Sequence, residues 1–173
     1  MDIHRSMNVR IQYISDIHLD VNWNLNYSGI LKPTGDILIL AGDISSVISQ
    51  KLPKFLKWCS ARWNKVIFVP GNHEYYNDEF NMDLVEKMLE TICQEQGVIF
   101  AQKSVIPLRC DLHLLACTLW SDINGAEATV KYRMQDFTMI PDMNIIKWKE
   151  IYIDHVNWLT ENIDKYNGNV VVV

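Results

Sequence analysis

Three short stretches carry side chains that could do chemistry together: Asp16-Ile17-His18, Gly42-Asp43 and Gly71-Asn72-His73-Glu74. Two aspartates, an imidazole and an amide oxygen are hard-to-borderline donors. They suit Mn²⁺, Zn²⁺ or Fe and match copper thiolate chemistry poorly. An aspartate at the centre of such a set can bridge two ions about 3.5–4 Å apart, an arrangement that clamps a phosphoryl group. A further histidine that is not a ligand could then act on the leaving group. Each stretch alone has a plainer reading. Asp-x-His recurs by chance, Gly-Asp after a strand is a common turn, and Asn-His could cap a following helix.

Order and spacing bind the three together. Each follows a short, β-branched-rich apolar run, at residues 11–14, 37–40 and 66–69. These runs are continuous rather than alternating, as expected for strands buried on both faces. Asp16 to Asp43 is 27 residues and Asp43 to Asn72 is 29, close to the roughly 30 of one strand–helix–strand unit. Each step therefore returns the chain to the same edge of a parallel sheet, where open α/β sheets build their sites. The intervening helices show as apolar stripes: Leu52, Phe55, Leu56, Cys59 and Trp63, then Val85, Met88, Leu89, Ile92 and Cys93, closed by Gly97.

The second half is organised differently. Residues 98–100, 105–108 and 112–118 read as strands, with Arg109-Cys110-Asp111 as a turn. Residues 121–144 lack periodicity and read as a long functional loop or lid. Tyr152, Val156, Leu159 and Ile163 restore a helical stripe ended by Asn167-Gly168, and residues 170–173 form a strand of four valines with nothing polar to protect its edge.

A chain of 173 residues, 49% hydrophobic and 21% charged, suits one domain over residues 1–173 and is too apolar for a disordered one. Its longest apolar runs are strand-sized, far short of the roughly 20 residues of a membrane span, and the N-terminus has no signal-peptide layout. A net charge of −5 gives no support to nucleic-acid binding by bulk electrostatics. Cys59, Cys93, Cys110 and Cys117 form no Cys-x-x-Cys pair. They read as reduced thiols in a cytoplasmic protein.

The three polar blocks resemble the first three blocks of the calcineurin-like metallophosphoesterase superfamily. Thr118-Leu119-Trp120-Ser121-Asp122, with a later helix carrying Trp158-Leu159, is similar to a subgroup of small members. The resemblance runs from Ile11 to Val173. It implies an α/β fold, a two-sheet sandwich flanked by helices, incomplete at the C-terminus. It implies a hydrolase of phosphomonoesters or phosphodiesters using two divalent ions (Mn, Zn or Fe). Asp16 and His18 would bind the first ion, Asp43 would bridge, Asn72 would bind the second, and His73 would serve the leaving group. Ile44-Ser45-Ser46 after Asp43 departs from the Asp-Arg-Gly element of protein serine/threonine phosphatases. The family pattern continues into a His-containing block and a Gly-His-x-His block that this sequence does not contain. On that reading the second metal site is weak and activity impaired. The alternatives are a non-catalytic binding or regulatory module, or a half-site completed by another chain, with a homo-oligomer formed through the C-terminal strand.

Other candidates have plainer expectations. His155 reads as a partly exposed helix residue, His113 as an outward strand residue, and His4 as a disordered one. Tyr75 and Tyr76 either wall the substrate pocket or form a surface turn. Asp78, Glu79, Asp83 and Glu86 complement a helix dipole. Lys131 and Arg133 read as solvated loop residues, and Trp120 opens the long loop.

Overall fold

The computed structural model describes residues 8–21, 26–166 and 169–173; His4 and the Asn167-Gly168 helix end lie outside the described residues. Four strands, β1 (Ile11–Ile14), β2 (Ile37–Ala41), β3 (Lys65–Val69) and β4 (Ile99–Phe100), form an all-parallel sheet in the order β1-β2-β3-β4. A second sheet holds β5 (Ser104–Arg109), β6 (Leu112–Ala116) and β7 (Val170–Val172); β5 and β6 are antiparallel, β6 and β7 parallel. The helices are α1 (Tyr27–Ile30), α2 (Lys51–Ser60), α3 (Met82–Glu95), α4 (Glu127–Arg133), α5 (Asp136–Met139) and α6 (Ile145–Ile163).

The continuous apolar runs have the expected cause. Along β2 and β3, Leu38, Leu40, Val66 and Phe68 face the helices, packing with Phe55 and Leu56 of α2 and Val85 and Leu89 of α3. Ile37, Ile39, Ile67 and Val69 face the opposite way, against Ile106, Leu108, Leu114 and Ala116 of the second sheet. Both faces are covered, so neither phase of the strand tolerates polar residues.

Several expectations change. Residues 121–144 contain α4 and α5 rather than one irregular loop. Val98 precedes β4 instead of belonging to it. In α6 the buried positions are Trp148 and His155, while Ile163 is exposed. His155 is thus a buried residue, not a partly exposed one. Helix α6 starts at Ile145 because Asn144 caps it, accepting from the backbone N–H groups of Ile146 and Lys147 at 3.0 Å each. No helix among the described residues is long and apolar enough to cross a membrane.

Candidate metal centre

Register decides where the three polar blocks leave the sheet. Ile14 pairs with Leu40 and Leu40 with Phe68, so the three strands end level. Backbone bonds then tie the exits together: Asp16 N to Gly42 O (3.1 Å), His18 N to Asp43 O (3.0 Å) and Leu19 N to Ile44 O (2.8 Å). Asp16, His18 and Asp43 each offer a ligand atom within 4.8 Å of one another. All three hold positive φ, at 55°, 46° and 55°. Left-handed backbone in three non-glycine residues of one cluster is strain of the kind that collects at functional sites.

The glycines fit the crowding. A Cβ on Gly71 would lie 2.1 Å from Asp43 Oδ1 and 2.7 Å from the Asp43 nitrogen, so only hydrogen fits there. Gly42, at φ +85°, backs onto Gly71. Glu74 is buried completely and fastens the assembly: Oε1 accepts from Ile44 N (2.7 Å) and Ser45 N (3.0 Å), Oε2 from Asp43 N (2.9 Å) and Gly71 N (2.6 Å). Burial pushes its carboxyl up to about 7 against the downward pull of these donors.

A model of the calcineurin-like phosphoesterase family matches residues 9–159. The chain belongs to this family. Protein L509 of Acanthamoeba polyphaga mimivirus, described as uncharacterised, is 31% identical over 173 residues, an alignment taking in 89% of this chain. The chain spans 60% of that relative's length. The phosphopantetheinyl hydrolase of Mycobacterium tuberculosis superposes with a TM-score of 0.71 at 22% identity, covering 95% of this chain and 67% of that one. That likeness establishes the shared fold, the two-sheet sandwich flanked by helices.

The site of this calcineurin-like phosphoesterase opens into a cleft of about 250 Å³ lined by Asp16, Asp43 and Asn72 together with Leu119, Met134 and Asp136. His73 is outside the cleft lining. Its backbone N–H donates to Asp43 Oδ1 at 3.0 Å, and its ring packs edge-on to His18 (centroids 4.4 Å apart) and against Tyr76 (4.3 Å). Its Nδ1 lies 3.8 Å from Asp20 Oδ2. Both histidines and both aspartates of the motifs therefore converge: Asp16, Asp43 and Asn72 line the cleft, and His18, outside the lining like His73, has its Nε2 4.0 Å from Asp43 Oδ2.

Other candidates separate from the site. Tyr75 is buried and donates to Glu86 at 2.9 Å; it is neither a pocket wall nor a surface turn, and Glu86 has a specific partner beyond the helix dipole. Tyr76 meets the site through His73 and Asn72. Lys131 and Arg133 are exposed on α4 and are not among the residues that line the cleft. His113 is half-buried against Tyr166. Sequence reasoning missed Asp20 and Asp136. Asp20 stood two residues after His18, a visible signal; Asp136 lay in the aperiodic stretch with none.

Proposed function

We propose that this chain carries the metal-binding centre of a phosphoesterase that hydrolyses phosphomonoesters or phosphodiesters. The observation that supports this best is the triad Asp16, His18 and Asp43, held in left-handed backbone with donor atoms within 4.8 Å. Two carboxylates and an imidazole, backed by glycines too crowded to be replaced, fit Mn²⁺, Zn²⁺ or Fe. Asp16, His18 and Asp43 would hold the first ion and Asp43 with Asn72 a second, weaker one. Such ions supply charge neutralisation of the phosphoryl oxygens and a nucleophile at neutral pH.

The chain's own residues do the rest. His73 is the residue placed to serve the departing alcohol, through Nε2, the ring nitrogen that does not face Asp20. Contacts with His18 and Tyr76 fix the ring plane. Leu119 and Met134 give the cleft an apolar flank suited to the organic half of the ester. Among the described residues the cleft has no lysine or arginine, which favours small esters over nucleic acid. The four free cysteines support a reducing compartment such as the cytoplasm. The outer edge of β7, which pairs with β6 on its other side, supports association with a further strand, in a second copy or another chain.

The test is metal content by mass spectrometry after equilibration with Mn²⁺ and removal of free ion, together with hydrolysis of p-nitrophenyl phosphate and bis-p-nitrophenyl phosphate. We expect about one tightly held Mn²⁺ per chain and Mn²⁺-dependent hydrolysis that Asp16→Asn lowers at least about 100-fold, the scale of a lost catalytic group. A chain that retains no Mn²⁺ overturns the reading. Retained Mn²⁺ with no hydrolysis of either ester makes the chain a binding module instead.

A further inference from the structure

An asparagine serves a metal only through Oδ1, because its NH₂ group has no lone pair to offer. Which way the Asn72 amide faces therefore decides whether it is a ligand at all. Its Nδ2 donates to Asp136 Oδ1 at 2.8 Å and to the Tyr76 hydroxyl at 3.1 Å. A carboxylate only accepts. Rotating the amide would set its oxygen against the Asp136 oxygen, two acceptors in contact with no proton between them. Asp136 is 1% exposed, so water has little access to relieve that contact, and an uncompensated buried acceptor is costly.

The carboxylate is itself held in place. The Met139 carbonyl at the end of α5 accepts from Asn77 N at 2.9 Å. Phe137 stacks on Trp148 (5.2 Å, 19° between planes), whose Nε1 donates to the Ser121 carbonyl at 2.9 Å. Helix α5 is thus pinned at two points around one acidic side chain.

We infer that Asp136 is a positioning residue of the metal centre, fixing the Asn72 amide so that Oδ1 stays free for an ion. The inference rests on the reading of Asn72 as a ligand of the second ion. It gives the aperiodic stretch a task that none of its surface residues explains.

The experiment has two readouts. In metal-free, isotope-labelled protein, NMR should show the Asn72 side-chain N–H protons exchanging slowly with solvent and shifted from free-amide positions. Freely exchanging Asn72 protons in the unaltered chain overturn the inference, even if no variant folds. By calorimetry with Mn²⁺ alone, Asp136→Leu, which removes the acceptor, should weaken the second site about 10–100-fold, the usual effect of a group that orients a ligand. Asp136→Asn keeps an oxygen that can turn to accept from the Asn72 NH₂ group, and should hold affinity to within about threefold of the unaltered chain. Unchanged Mn²⁺ affinity in Asp136→Leu, or an Asp136→Asn variant that binds no better than Asp136→Leu, overturns it. If the unaltered chain binds no Mn²⁺, the phosphoesterase reading falls on its own, and the amide measurement still decides the role of Asp136.

Discussion

At the scale of single residues, Glu74 shows how the three polar blocks are fastened to one another. Asp16, His18, Asp43, Asn72 and His73 stand out in the sequence by type and spacing, and the fold brings them near one another. Glu74, next to them in the same motif, has its role set by four backbone N–H groups from two different loops, which no local pattern reveals. Each of its oxygens takes two donors. In Glu74→Gln, whichever way the amide turns, an NH₂ group meets two backbone donors and leaves both unsatisfied. At pH 8, where the native carboxylate is ionised, we expect a loss of about 3 kcal/mol, from about 1–3 per orphaned group, or a melting temperature lower by about 10 °C. Thermal unfolding checks this; a variant melting within about 2 °C of the parent would show that Glu74 does not fasten the loops.

At the scale of elements, β1, β2 and β3 and helices α2 and α3 follow from periodicity because each has one dominant apolar pattern. Helix α6 is harder. Ile145, Ile146, Ile151 and Ile153 spread apolar residues around its circumference, so the stripe through Tyr152, Val156 and Leu159 competes with the buried line of Trp148 and His155. Helices α4 and α5 are seven and four residues long, too short to show a period. The buried line of α6 has a consequence for pH. His155 Nδ1 is buried without a hydrogen-bond partner, and burial lowers the imidazole to about 4, with Asp154 and Lys103 as the charged neighbours. Since the folded value lies below the unfolded 6.5, the unfolded chain takes up the proton first as pH falls. Stability from this residue is complete above about pH 6.5 and is lost on the way down to about 4. Urea unfolding should show a loss of about 2 kcal/mol between pH 7 and 5 from this group, and His155→Leu should remove that part of the slope. Identical pH slopes in parent and variant would exclude His155 as its source.

At the scale of the whole molecule, the sandwich brings two carboxylates together, and an ion held between them would offset their repulsion. Two apolar layers, one against the helices and one between the sheets, hold the strand ends level. The strand ends hold Asp16 and Asp43 with their oxygens within 4.8 Å, and Asp43 also raises the carboxyl of Glu74. Like charges brought this close oppose folding unless a cation intervenes. Ion binding and stability are therefore linked: an ion at about 100 times its dissociation constant adds about 2.7 kcal/mol, an increase of about 8 °C in melting temperature for a domain of this size. Asp43→Asn separates the two effects. Its amide oxygen can still accept from His73 N, as Oδ1 does at 3.0 Å, so the backbone frame survives while one negative charge goes. Without metal the variant should melt at or slightly above the parent. With Mn²⁺ its gain should shrink to about 1 °C, the size expected when most of the ion's affinity is lost. A variant that melts well below the parent without metal would mean that Asp43 is needed for folding itself. Equal Mn²⁺ shifts in both would place the ion elsewhere. The expected pattern, a more stable apo state that an ion no longer improves, is the thermodynamic mark of a site the fold maintains against its own charge.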